Sequence, residues 1–247
     1  MHLYIYDDFL SKSRYNKVLS KIETRLTDLG LSGKIIRLNN LKNSDKAIKE
    51  EIKQGAKTIV AVGNDYTISK VLNVVMDNDL NYFSKDIVIS FIPTSSSSLA
   101  ESFGLINAQQ ACDVLLARRI KDVRLGKCLN NYFLSNIKIL GNNTEILINK
   151  NYQITLLKNK SCYIINIPTK ELSKKIPNIR EKNQEKLFLF IENSNQDYSF
   201  FPADNIELKK QANISLIADH CITCQTPTEI SLSEKRVRFI VGKNRAF

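Results

Sequence analysis

Two rhythms of apolar residues alternate through the first half of the chain. Leu3 to Tyr6, Lys34 to Leu38, Ile59 to Val62 and Asp86 to Ile92 are short, nearly continuous apolar runs of the kind found in strands buried on both faces. Between them, apolar residues recur at helical spacing. Tyr15, Val18, Leu19, Ile22, Leu26 and Leu29 share one face before Gly30; Ala47, Ile48 and Ile52 share another between a Ser44-Asp45 cap and Gly55; and Ile68, Val71, Leu72 and Val75 share a third. Strands that alternate with amphipathic helices predict a parallel sheet covered on both faces, with ligands beyond the carboxyl ends of its strands. Two turns occupy that edge, Gly63 to Thr67 and Pro93 to Ser98. After the second turn, Leu99 to Leu105 reads as a short helix with a glycine stop, and Ala108 to Ile120 as a longer one.

The period changes near Val123. Tyr132 to Leu140, Glu145 to Asn149, Tyr152 to Leu157 and Ser161 to Ile167 are short strand candidates divided by Gly141-Asn142-Asn143, Asn149-Lys150-Asn151 and Lys158-Asn159-Lys160, so an antiparallel meander is expected. Thr169 to Gln184 is polar and basic and reads as a loop or frayed helix. Lys186 to Glu192, Ile206 to Lys209, Ile214 to Ala218 and Arg236 to Val241 resume strand patterning. The expected organisation is an α/β domain over residues 1–122 and a β-rich sandwich over 123–247, with the last residues returning to the first domain.

The turns carry the candidate chemistry. A strand, polar turn and helix place backbone N–H groups and a positive helix end at the mouth of a sheet, where a phosphate is held favourably, and Asp65 there can face a metal ion or a hydroxyl. The alternative for Asp65 and Thr67 is helix capping alone. Likewise, Ser95 to Ser98 either offer hydroxyls and amides to a phosphate or simply cap the next helix.

Composition narrows the setting. The 247 residues are 43% hydrophobic and 25% charged, as in a globular protein, and no apolar run approaches the roughly 18 residues that span a bilayer. The start, Met1 to Asp8, lacks the basic and apolar pattern of a signal peptide, which leads to an expected cytoplasmic location. Five cysteines give no disulfide framework; His220, Cys221 and Cys224 invite a metal or redox reading, but no second ligand pair accompanies them. The net charge of +11 favours anionic partners: nucleotides, nucleic acid or an acidic membrane surface. Lysines are spread along the chain and no nucleic-acid motif is present, so nucleic acid is not expected.

In order and spacing, these motifs resemble the diacylglycerol kinase and sphingosine kinase family of lipid kinases, within the superfamily that holds the NAD kinases. That family runs a strand into Gly-Gly-Asp-Gly-Thr and a helix with a downstream Asn; here stand Gly63-Asn64-Asp65-Tyr66-Thr67 and Asn73. Its second motif, Pro-x-Gly-Thr/Ser-Gly-Asn before Leu-Ala-x-x-Leu-Gly, corresponds to Pro93-Thr94-Ser95-Ser96-Ser97-Ser98 before Leu99-Ala100-Glu101-Ser102-Phe103-Gly104. Its Val-Asp-Leu-Gly and Asn and Phe segments correspond to Val123-Arg124-Leu125-Gly126 and Asn131-Tyr132-Phe133. The departures are chemical. Asn64 and Tyr66 replace glycines, serines replace the glycines of the second motif, and Arg124 replaces a carboxylate; of Asp-Gly-Glu near the carboxyl end, Pro227-Thr228-Glu229 keeps only the Glu.

The resemblance implies an NAD kinase-like three-layer α/β domain followed by an antiparallel β-sandwich. It also implies ATP-dependent phosphoryl transfer, with Mg²⁺, to a lipid hydroxyl entering between the domains from an inner membrane surface. Its implied nucleotide site is Gly63, Asn64, Thr67, Asn73, Ser95, Ser96 and Ser97, with Asp65 on the metal and Asp65 and Glu229 as the catalytic carboxylates. Two alternatives stand beside an active lipid kinase: a non-catalytic pseudokinase that binds a nucleotide or lipid, and, last, an NAD kinase-like enzyme. A homodimer is a further open alternative.

Overall fold

The computed structural model describes residues 1–38, 44–80, 86–140, 144–157, 160–175, 185–192, 198–209, 215–219 and 222–247. The chain divides into two compact units, Met1–Val123 with Arg236–Arg245, and Arg124–Lys235 with Ala246–Phe247.

In the first unit, β1 (His2–Tyr6), β2 (Gly33–Arg37), β3 (Thr58–Gly63) and β4 (Val88–Pro93) form a parallel sheet in the order β2-β1-β3-β4. The end of the last strand, β16 (Thr228–Ile240), adds to β4 in parallel, with Arg238 opposite Val88 and Phe239 opposite Ile89. Every residue of β3 and β4 is buried, as the continuous apolar runs require when helices cover both faces. Those helices are α1 (Asn16–Asp28), α2 (Ser44–Lys53), α3 (Asp65–Val75), the short α4 (Ser98–Ser102) and α5 (Ala108–Ala117). The pair α1 and α5 and the pair α2 and α3 each pack together, α5 on β4 and α3 on β3. Ser44 is the first residue of α2 rather than a cap before it. The helix expected to reach Ile120 ends at Ala117, because Arg118 turns left-handed at φ 49° and Ile120 already begins β5 (Ile120–Cys128).

The second unit is a sandwich. One sheet joins the start of β16 to β13 (Asn205–Leu208), β8 (Thr144–Ile148) and β9 (Tyr152–Leu156). The other has the order β12 (Tyr198–Ala203), β11 (Leu187–Glu192), β10 (Ser161–Ile165), β7 (Asn136–Leu140), β14 (Ser215–Ala218) and β15 (Ile222–Gln225). The expected meander is therefore corrected: β8 and β9 form a hairpin in the first sheet, while β7 and β10 on either side of them pair directly in the second, Ile164 opposite Ile137. Inward residues of both sheets, among them Ile137, Ile146, Ile164, Leu189, Leu216 and Ile230, form one core. Full burial of each such side chain contributes about 1.5–3 kcal/mol, which makes the alternation along the strands decisive.

The run Tyr132 to Leu140, expected as one strand, is two: β6 (Asn131–Phe133) pairs back onto β5, and β7 starts at Asn136. Asp219 makes the break. Its buried carboxylate accepts the amides of Leu134 at 2.6 Å, Ser135 at 2.7 Å and Asn136 at 3.2 Å, so these donors are satisfied without a strand partner. Of the polar stretch Thr169 to Gln184, Lys170–Lys175 form a short helix, α6, and residues 176–184 lie outside the described residues, as do the turns expected at 141–143 and 158–159.

Candidate functional site

The turn after β3 is held from within. Asn64 is the N-cap of α3: its side-chain oxygen accepts the Thr67 amide at 3.2 Å, while the Thr67 hydroxyl accepts the Asn64 amide at 3.1 Å, a reciprocal capping box. The buried Thr67 hydroxyl donates to Asp7 Oδ2 at 2.6 Å, just beyond the end of β1. Asp7 also accepts the Phe9 amide at 3.3 Å and donates its own amide to Val62 at 3.1 Å. Gly63 is required by this packing, not by its torsions, because a Cβ there would stand 2.1 Å from the Thr67 hydroxyl. Asn73 faces its own helix, its amide donating to the Ser69 carbonyl at 2.9 Å. The N-cap is thus Asn64 rather than Asp65 or Thr67; Thr67 completes the capping box from N3 and also ties β1 to α3.

The turn after β4 lies beside it, Gly63 paired with Pro93 and the Thr94 amide and hydroxyl both reaching the Gly63 carbonyl, at 2.9 and 3.1 Å. Ser97 caps α4 by accepting the Ala100 amide at 2.8 Å, and its hydroxyl donates to the Asp65 carboxylate. A cavity of about 340 Å³ opens against this turn. Pro93 to Ser97 form one wall, Val18 and Lys21 of α1 a second, and Glu101 with Ile106 to Gln109 a third. It takes in Ser95, Ser96 and Ser97 of the expected nucleotide residues, and none of Gly63, Asn64, Asp65, Thr67 and Asn73. Thr94, through the Gly63 carbonyl, and Ser97, through the Asp65 carboxylate, join the cavity to the first turn.

Glu229 belongs to the second unit, on β16, where its exposed carboxylate accepts the Asn205 side-chain amide and pairs in register with Glu207 on β13. Arg124, which stands where the related motif carries an acid, donates from Nε to the Ser233 carbonyl at 3.1 Å. Gly126 leaves room for the ring of Phe133, which a Cβ would meet at 2.1 Å, a structural reason for that Gly and Phe spacing.

Among the described residues no three His, Cys, Asp or Glu side chains come together as a metal-holding group. Cys224 is buried in the sandwich core with its thiol on the Cys128 carbonyl at 4.0 Å, while His220 and Cys221 lie outside the described residues. Burial pushes the Cys162 thiol up to about 12 and the Cys112 thiol up to about 11, so neither is a ready thiolate at neutral pH.

Two residues escaped sequence reasoning. Asp7 follows an apolar run and carried a visible signal, a carboxylate at the carboxyl end of a parallel strand. Lys21 carried none beyond its place on the polar side of a helix.

An all-parallel sheet with two linked turns at the carboxyl edge of adjacent strands is the class of α/β domain whose ligands bind at that edge. The chain belongs to the diacylglycerol kinase catalytic-domain family, whose model matches residues 2–128. No curated protein matches it. In three dimensions the chain is similar to a diacylglycerol kinase from Bacillus anthracis str. Sterne, with a TM-score of 0.74 at 15% identity over 98% of this chain and 97% of that one. Another Bacillus anthracis str. Sterne structure with the same kinase designation reaches a TM-score of 0.76 at 15% identity, over 98% and 95% of the two chains. At that identity the likeness speaks for the fold. Among the described residues, no helix is long and apolar enough to cross a membrane.

Proposed function

We propose that the protein is a lipid kinase of the diacylglycerol kinase type, which binds ATP at the paired turns and transfers its terminal phosphoryl group to a lipid hydroxyl. The observation that carries this reading is the contact between Ser97 and Asp65, which holds a carboxylate of one turn against the hydroxyls of the next. Phosphoryl transfer depends on positioning the donor, neutralising its charge and orienting the acceptor oxygen. In this reading Asp65 accepts the proton of an acceptor hydroxyl and Thr94 to Ser97 hold phosphate oxygens. Glu229 is a second candidate carboxylate.

Asp65 offers a magnesium ion one carboxylate, which suits an ion that stays largely hydrated and arrives on a nucleotide's phosphates. Asp65 is engaged by Ser97 and no further carboxylate joins it in a metal-holding group among the described residues. Phosphate charge is then met by cations that arrive with the ligand or by the chain's own lysines. The net charge of +11 supports docking on an anionic lipid surface, at about 1 kcal/mol for each basic residue that reaches it.

A pseudokinase reading is favoured by two particular observations. The Asn64 and Thr67 amides that would face a phosphate are satisfied inside the turn, and Arg124 replaces an acid. One experiment separates the readings. Titration calorimetry with ATP and Mg²⁺, followed by phosphate-transfer assays on diacylglycerol in mixed micelles, is expected to give saturable binding and turnover that Asp65→Ala abolishes. Binding without turnover supports the pseudokinase; turnover unchanged in Asp65→Ala overturns the assigned site.

A further inference from the structure

Cys224 has a thiol neighbour that its sequence context does not show. It lies on β15 and Cys128 at the end of β5, 96 positions apart in the chain, and both are buried in the core of the second unit. Their thiols share a hydrogen bond, the Cys224 thiol also meets the Cys128 carbonyl at 4.0 Å, and the Cys128 thiol meets the Thr228 hydroxyl at 3.5 Å. Asn131, paired with Cys128 across the hairpin of β5 and β6, hydrogen-bonds the Cys224 sulfur through its side chain. Cys224 is thus gripped by both ends of one tight turn.

Core thiols ordinarily pack as small hydrophobes. Cys162 does so on the interior strand β10, and Cys112 donates to the Ala108 carbonyl of its own helix; neither is hydrogen-bonded to a second thiol among the described residues. Cys128 and Cys224 differ in contact, chemistry and access. Their sulfurs are already neighbours. The hydrogen bond from Cys128, helped by Asn131, pushes the Cys224 thiol below its ordinary value while the Cys128 thiol is pushed up, which makes Cys224 the nucleophile of the pair. Leu129 and Asn130 of the hairpin turn beside them are exposed, and β15 is an edge strand with β14 as its one described strand partner, so local opening there is cheap.

We infer that Cys128 and Cys224 form a reversible dithiol and disulfide centre, oxidised by a low-molecular-weight disulfide such as oxidised glutathione. The Cys224 thiolate attacks one sulfur of the small disulfide and expels its first thiolate; Cys128 then attacks the Cys224 sulfur and expels the second. The chain loses two electrons, the two protons pass to the released thiolates, and one small disulfide becomes two thiols. The new bond staples β5, which pairs with β16, to β15 at the edge of the other sheet. The centre lies within the second unit and does not depend on the kinase reading.

Equilibration of the full reduced chain with excess oxidised glutathione, followed by alkylation, digestion without reductant and mass spectrometry, tests this. The expected product joins the Cys128 peptide to the Cys224 peptide and leaves Cys112 and Cys162 free. Cys128→Ala should instead retain a glutathione adduct on Cys224, and Cys224→Ala should abolish reaction at Cys128. Closing so long a loop should raise the thermal midpoint of the parent by about 5–10 °C, reversed by dithiothreitol and absent in both variants. A link from Cys221 to Cys224, a link between two chains, or all five thiols still free in the folded parent overturns the inference. These outcomes are read on the parent protein, so a variant that fails to fold does not rescue it.

Discussion

The two turns at the carboxyl edge of the parallel sheet cap their helices by the same chemistry and reach opposite states. In the first, Asn64, Thr67 and Asp7 satisfy one another, and Gly63 packs so closely on Thr67 that a Cβ would meet its hydroxyl at 2.1 Å. In the second, Ser97 is spent on capping and on Asp65, while Ser95 and Ser96 face an open cavity. A helix N-terminus offers a limited number of amides, and side chains that cap it well compete with any ligand that would use them. The amides of the first turn are therefore largely spent on its own side chains, while Asp65 meets Ser97 and Tyr66 is exposed, and the second turn keeps hydroxyls open to a ligand.

The largest expected effect that sharpens this contrast is Gly63→Ala. The added methyl meets a fully buried threonine, and urea unfolding should show a loss of about 3 kcal/mol. Asp7→Ala comes next, at about 2 kcal/mol in the same assay, because it leaves the buried Thr67 hydroxyl only its longer contact with Asn64 Oδ1 at 3.2 Å and takes the acceptor of the Phe9 amide. Ser97→Ala should cost about 1 kcal/mol through the lost cap of α4, and it also removes the Ser97 hydroxyl from Asp65, so turnover should fall although the fold persists. Ser95→Ala should stay within about 0.5 kcal/mol of the parent in unfolding while weakening phosphate binding a few-fold. Should Ser95→Ala unfold as easily as Gly63→Ala, the second turn is as closed as the first and the contrast is broken.

How much of this could be read in advance follows the range of the forces involved. Ile59 to Val75 was legible because strand, turn and helix are local and their periods are strong, and the parallel sheet follows from repeating that unit. The sandwich was legible as a class but not in its pairing. β10 reaches past the β8 and β9 hairpin to β7, and no local pattern encodes that choice. Pro202 interrupts the alternation of β12, and the start of β16 carries only Ile230 and Leu232 as apolar residues before Val237, so both strands have to be recognised by the core they cover. The split of Tyr132 to Leu140 depends on Asp219, more than eighty residues away in sequence. For the candidate site, the capping residues announced themselves, but the Ser97 to Asp65 contact, the Asp7 to Thr67 contact and the place of Lys21 are tertiary facts.

The membership of Arg236–Arg245 in the first unit bears on how the protein is made. Phe239 completes the sheet at β4, and the Gly242 amide binds the Phe103 carbonyl at 2.8 Å, with Gly104 and Gly242 in a contact too close for any side chain. During translation, the strand that finishes the amino-terminal unit leaves the ribosome only after residues 124–235 of the second unit have been synthesised. Nascent chains shorter than about 236 residues therefore carry β4 with an unpaired edge, exposed to chaperones and to aggregation.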